Sequence, residues 1–330
     1  MLARLVSYPF GSVSARALAA GLLGEPEFTD LINAPSRTQT DRLLARLPGF
    51  SGTAGEASLP ACFIAFGRKL SSTLPATGRR LIDAYLRRNQ VENLKLVCRA
   101  ILTGRRELVA DALLPEGAEK LATDAVIAAR SLQELAARLP PGDFRDLLRH
   151  KMPAAPEERS FYLDSALERV FWERMVERLA ELPMFDRLAA RELLGMRADI
   201  DRFRIVGRGM HAGLPAENIL AALPPLGTLL LSRQVRKALA AVDPAVACRQ
   251  LLSTVTREPF DEPGGEAFLF RRLYRHLQKT LRAAPFDISA PLSALLLKEL
   301  EIRDLRVVLS GQRLGAGRHE LASLLSCTRG

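Results

Sequence analysis

Apolar residues recur at three- and four-residue spacing in almost every segment between Pro- and Gly-rich breaks, the period of a helix with one buried side. Leu, Ala, Arg and Glu dominate these segments and β-branched and aromatic residues are thin, so the pattern predicts an all-α chain with no strand. The stretch "SFYLDSALERVFWERMVERLAELP" shows it well. Leu163, Leu167, Val170, Phe171, Met175 and Leu179 share one face, Glu and Arg fill the other, and Pro183 follows the end. Trp172 on that helix reads as a core or groove-lining residue. Breaks at 47–60, 113–119, 138–143, 151–158, 223–227 and 257–266 divide the chain into about fifteen short helices.

One helix departs from the plain amphipathic pattern. "YLRRNQVENLKLVCRAILTGR", Tyr85 to Arg105, places Asn89, Glu92 and Asn93 among its apolar positions. The pattern returns twice: "ENLKLVCRAILTG" from Glu92 aligns without gaps to "DRFRIVGRGMHAG" from Asp201 and to "RDLRVVLSGQRLG" from Arg303. In each copy a basic residue (Lys95, Arg204, Arg306) follows a large apolar one (Leu94, Phe203, Leu305). A Gly (Gly104, Gly213, Gly315) comes ten residues after that apolar residue. The copies lie about a hundred residues apart, well beyond the ~34–47 residues of common helical solenoid units, so duplication of a helical domain is the simpler expectation. It divides the chain into three tandem pseudo-repeats, 1–114, 115–222 and 223–330. The recurring Gly suits a residue that ends a helix in the left-handed region. Polar groups on a packing face must be bonded, so Asn89, Glu92 and Asn93 are expected to reach neighbouring helices or capping turns and to fix register.

Composition narrows the function. With 48% hydrophobic and 25% charged residues the chain builds a well-packed interior. The net charge of +10 invites a polyanion partner, but the excess is Arg spread along the chain without a like-charge run, which reads first as a solvated surface. Cys62, Cys98, Cys248 and Cys327 lie far apart without a CxxC pair, so they read as packing residues of a reducing compartment. Arg4 and Arg16 interrupt the greasy opening stretch before a signal-peptide core forms. The longest apolar run, Ile219 to Leu231, contains Pro224 and Pro225 and falls short of the ~20 residues of a membrane span.

Chemistry-bearing motifs are missing. There is no phosphate loop, "GRGMHAG" from Gly207 has neither the dinucleotide spacing nor a preceding strand, and no GxSxG elbow occurs. His150, His211, His276 and His319 stand apart from one another and from ligand-spaced Cys. Carboxylates such as those of "KELEIRD" alternate with bases as intrahelical pairs do. No catalytic residue, cofactor or metal is expected.

The motifs, in their order along the chain, resemble the C subunit of the prokaryotic V/A-type ATPases (ATP synthases), the counterpart of the d subunit of the vacuolar proton pump. "SARALAAGLL" (Ser14 to Leu23) looks like the family's opening helix, and the Tyr85–Arg105 segment resembles RND-x-x-NL-x-x-LLRAK-x-x-G. "LDSALERVFWERM" is similar to the helix that opens the middle section. "ADIDRFRIVGRG", with Asp199 and Asp201, stands where the family has D-x-x-NLR. "LKELEIRDLRVVL", with Glu299 and Glu301, resembles the closing KE-x-EI-x-NLR. Asn93 keeps the family amide, whereas Arg202 and Asp304 replace it in the later copies.

The resemblance implies a funnel of three helical domains about a pseudo-threefold axis. Its narrow end would sit on the membrane proteolipid ring and its open end would receive the foot of the rotor shaft. Such a part transmits torque for proton or sodium transport linked to ATP hydrolysis or synthesis, without a catalytic site or cofactor of its own. It would be present once per complex, on the cytoplasmic side, peripheral to the membrane through the ring, and without nucleic acid. The Arg-bearing helix "FRRLYRHLQKTLR" then offers Arg271, Arg272 and Arg275 as partner contacts. The alternative from the charge alone is a helical adaptor or nucleic-acid-binding scaffold, against which four Tyr and one Trp offer few stacking surfaces.

Overall fold

The computed structural model describes residues 8–47, 50, 58–105, 109, 113–114, 116, 120–149, 156–256, 264–283 and 286–328. The opening residues, His150 and most of the breaks expected at 47–60, 113–119, 151–158 and 257–266 lie outside the described residues. Among the described residues all regular structure is helical. In chain order the helices are α1 (Pro9–Ala19), α2 (Glu25–Asn33), α3 (Arg37–Arg46), α4 (Leu59–Ser71), α5 (Ala76–Leu86) and α6 (Arg88–Thr103). There follow α7 (Asp124–Ile127), α8 (Leu132–Arg138), α9 (Asp143–Arg149), α10 (Pro156–Ala180), α11 (Met184–His211) and α12 (Ala216–Ala221). The last five are α13 (Ser232–Ala238), α14 (Pro244–Thr256), α15 (Gly265–Ala283), α16 (Ser289–Leu314) and α17 (Arg318–Leu324).

The expected short helices need one correction, because α10, α11 and α16 run for 25, 28 and 26 residues. Glycines inside α11 do not break it, since they serve close packing. A Cβ on Gly195 would lie 2.2 Å from Thr228 Oγ1, so only Gly lets that neighbour approach.

Contacts within the chain group into two units, and α5 and α11 contribute residues to both. The first unit comprises 1–83, 181–193 and 262–330. Its centre is α16, buried from Ser289 through Lys298 without interruption, as a helix apolar on all sides must be. Along it pack α1, α4 and α15, while α2, α3 and α17 also touch it. The amphipathic α15 turns Ala267, Leu269, Phe270, Leu273 and Leu277 inward at helical spacing. The two ends of the chain therefore share one core.

The second unit comprises 84–180 and 194–261. Here α6 lies along α10, α8 and α9 pair with α9 also on α10, and α13 touches both α12 and α14. Tyr85, Phe171 and Trp172 meet edge to face, with ring centroids 5.9 and 5.2 Å apart. Trp172 is fully buried, a core residue.

Candidate functional site

The three motif helices end alike. Gly104, Gly213 and Gly315 follow α6, α11 and α16 with φ of 73°, 69° and 76°, a conformation that costs other residues about 1 kcal/mol. Eleven residues before each Gly stands a buried polar side chain, Asn93, Arg202 or Asp304. Each one holds the returning chain. The Asn93 amide donates to Leu114 O and accepts from Leu114 N, both at 2.8 Å, across 21 residues. Arg202 Nε and Nη2 donate to Pro224 O, 22 residues on, at 3.1 and 2.6 Å, and Nη1 donates to Leu230 O at 2.6 Å. Asp304 Oδ2 accepts from Ser326 N at 2.8 Å and Ser326 Oγ at 2.6 Å, again 22 residues on. An amide, a guanidinium and a carboxylate thus satisfy the same need, pairing an irregular buried backbone that has no ladder of its own.

A second polar position precedes the first by three residues: Gln90, Asp199 and Glu301, all buried. Asp199 accepts the backbone N–H of Thr228, Leu229 and Leu230 at 3.1, 2.6 and 3.1 Å. A Cβ on Gly227 would lie 3.0 Å from both Asp199 Oδ1 and Arg202 Nε, so the chain there passes where only Gly fits easily. Glu301 Oε1 accepts Leu23 N at 2.8 Å, tying the end of the chain to its beginning, and Lys298 Nζ donates to Oε2.

In the second unit α10 sends acids between α6 and α11. Asp201 accepts from Arg88 Nη2 at 3.0 Å, Arg197 Nη1 at 2.9 Å and Trp172 Nε1 at 3.1 Å. Burial raises its pKa, but Arg197, Arg88 and Arg204 outweigh that and hold the carboxyl well below the usual range. Glu168 accepts from Lys95 and from Arg88, the latter at 3.4 Å. Asp164 takes Arg99 Nε at 3.2 Å and Arg208 Nη1 at 3.1 Å. Arg88 with Arg197, and Arg99 with Arg208, are the same positions of successive copies. Asp164 therefore joins α6 to α11 at equivalent positions, Asp201 on α11 holds α6 through Arg88, and Glu168 ties α10 to α6.

The remaining motif residues are less uniform. Leu94 and Leu305 are fully buried and Phe203 is half-buried. Lys95 is buried, whereas Arg204, Arg306 and Glu299 are half-exposed. Asn89 is buried; Glu92 is half-buried and pairs with Lys95 at 3.0 Å. Burial works against its charge, yet Lys95 and Arg88 lower its pKa. Of the three candidate contact arginines only Arg275 is exposed. Arg271 donates to Ser323 O at 2.7 Å, so it also holds α17. Cys98 and Cys327 are buried, Cys62 and Cys248 half-buried, and all four are free.

Sequence reading missed Asp164 and Glu168, whose alternation with Arg looks like a solvated face. It also missed a short repeat, L-P-x-x-x-R. Arg79 Nη2 donates to Leu74 O at 3.3 Å and Arg187 Nη2 to Leu182 O at 2.9 Å, capping the chain entering α5 and α11. The signal was Leu74-Pro75 and Leu182-Pro183, each ahead of an Arg. Among the described residues no group of His, Cys, Asp and Glu is placed to hold a metal ion. The arrangement stiffens joints and closes loops.

Comparison with known proteins agrees in scale. The sequence model of the ATP synthase (C/AC39) subunit family matches residues 14–323. The C subunit of the A-type ATP synthase of Pyrococcus horikoshii is 22% identical over 321 residues, covering 91% of this chain and 85% of that protein. The protein of that name from Methanothermobacter thermautotrophicus is 22% identical over 326 residues, covering 93% and 84%. That from Thermococcus gammatolerans is 25% identical over 256 residues, covering 74% and 69%. With a match across most of its length, the chain belongs to the ATP synthase (C/AC39) subunit family.

Proposed function

We propose that the chain is the socket between the rotor shaft and the membrane proteolipid ring of a V/A-type ATPase. In this reading three helical repeats, 1–114, 115–222 and 223–330, close about a pseudo-threefold axis as a funnel. The observation that carries it is the triple loop pin. Asn93, Arg202 and Asp304 hold backbone 21, 22 and 22 residues downstream, at one position of three successive copies. Ring closure has support of its own, since α16 packs along α1 and Glu301 holds Leu23 N. A torque-bearing part needs stiffness, and buried charge joints and pinned loops supply it. The chain then works at the cytoplasmic face, peripheral to the membrane; no described helix is long and apolar enough to cross one. Arg275 remains the accessible member of the candidate partner contact.

Affinity purification of the tagged full chain from its native membrane tests the proposal. Recovery of the rotor shaft together with the proteolipid is the expected result. Recovery of neither overturns it.

A further inference from the structure

Three helix starts meet around Tyr8 in the first unit. Tyr8 is buried, and a Cβ on Gly78, in the first turn of α5, would lie 2.9 Å from Tyr8 Cε1 and 3.2 Å from Ile288 Cδ1. Ile288 is the N-cap of α16. Burial, and then Asp186 in the first turn of α11, push the Tyr8 hydroxyl up to about 12, with Asp287 adding to it. Arg80 Nε of α5 pairs at 2.7 Å with Glu181, three residues before α11, so the N-termini of α5, α11 and α16, which begin at Ala76, Met184 and Ser289, converge. Those starts are about a hundred residues apart, the spacing of the sequence repeat.

This end carries apolar side chains that face solvent. Phe10 and Val13 lie on the first turns of α1, and Met184, Phe185 and Leu188 on those of α11. Phe10 is 69% and Met184 65% exposed, and the other three are also more than half exposed. Side chains that exposed project from the surface instead of lining a groove. Around them Arg79, Arg187 and Arg191 are exposed. Of the acids nearby, Asp287 Oδ1 accepts from Ser289 N at 2.9 Å, Glu181 pairs with Arg80 at 2.7 Å and Glu192 with His276 at 3.4 Å.

We propose that this end of the first unit contacts phospholipid directly, its projecting apolar side chains entering the hydrocarbon edge while the arginines face phosphate groups. Three features favour lipid over a protein partner. Projecting Phe, Met, Leu and Val need no matching pocket in a fluid apolar medium. Arginine stems lie along apolar surface with the charge at headgroup level. Converging helix N-termini add positive potential on the same side. The inference rests on the membrane role proposed above, but it names lipid, and not only the ring's protein, as the surface met.

Co-flotation of the full chain with phosphatidylglycerol vesicles, against phosphatidylcholine vesicles, is the test. The wild-type chain floats with the anionic vesicles, and Phe10→Asp and Met184→Asp each lower partitioning about tenfold. Leu314→Asp, which alters an 82% exposed side chain at the far end of α16, changes nothing. Circular dichroism melting confirms that each variant folds. Failure of the wild-type chain to float at low salt overturns the inference, as does equal flotation of the variants. Purified proteolipid in detergent that captures the wild-type chain but not Phe10→Asp, with vesicles capturing neither, makes the contact proteinaceous and overturns it too. A chain that co-purifies with shaft and ring yet ignores vesicles loses this inference alone; one that floats but co-purifies with neither loses only the proposed role.

Discussion

The helices α16 and α11 carry the same repeat in opposite surroundings. In the first unit α16 is wrapped by apolar neighbours, and its ion pairs stay within the helix: Lys298 pairs with Glu301 three residues on, and Arg303 with adjacent Asp304. In the second unit the charges of α11 reach across to other helices, where Asp201, Glu168 and Asp164 link α6, α10 and α11. A repeat conserves the loop it must hold, while the source of cohesion differs between copies. Apolar burial near 25 cal/mol per Å² sustains α16. A buried ion network adds little net stability but is costly to break singly. The second unit is thus the more sensitive of the two to one lost charge.

The largest effect expected is that of Asp201→Ala, which strands Arg88 and Arg197 in the interior and costs about 3–5 kcal/mol. Lys298→Met costs much less, because Glu301 keeps its bond to Leu23 N and burial already pushes its pKa up, so it takes a proton readily. Chemical denaturation followed by far-UV circular dichroism compares the two variants, and the fluorescence of Trp172, the one tryptophan, reports the second unit separately. Equal losses in both variants would erase the contrast between the units.

Acid sharpens the same comparison. The folded pKa of Asp201 lies below its unfolded value of about 3.9. Its contribution is therefore complete above that value and declines as pH falls through it toward the folded pKa. The Trp172 transition moves to lower denaturant as pH drops from about 5 to 3, and Asp201→Asn flattens that dependence. A wild-type midpoint constant over this range contradicts the assignment.

Next in size are the loop pins. Asn93→Ala, Arg202→Ala and Asp304→Ala each cost about 1–3 kcal/mol by orphaning buried backbone. Hydrogen exchange accelerates locally at Leu114, at 224–230 and at Ser326 respectively, whichever unit holds the pin. Smallest are Gly104→Ala, Gly213→Ala and Gly315→Ala, at about 1 kcal/mol each. Nothing lies within 4 Å of a Cβ at these positions, so backbone strain alone sets the loss, and calorimetry should find three similar values.

Helical periodicity, the Pro and Gly breaks and the repeated triad of apolar, basic and Gly positions are local or evenly spaced, so the linear chain displays them. That Asn93 and its neighbours need partners also follows from the sequence, because a polar group on a packing face must be bonded. The partners do not: Leu114, Pro224 and Ser326 contribute mainly backbone, which has no side-chain signature. Asp164 and Glu168 escaped notice because Arg and acid alternate equally on a wet face and in a charged joint. Nothing in the sequence marks Phe10 and Met184 apart from other apolar residues, and only the fold places them at an exposed helix start. Arg271 read as a candidate partner contact, and in the fold it holds the Ser323 carbonyl.

The most direct measurement is an experimental structure of the purified complex containing this chain. The account predicts α6, α11 and α16 related by rotations of about 120°, with Asn93, Arg202 and Asp304 superposed, the Tyr8 end toward the membrane and the opposite opening filled by the shaft. Motif helices that no rotation relates, or a Tyr8 end turned away from the membrane, would contradict it.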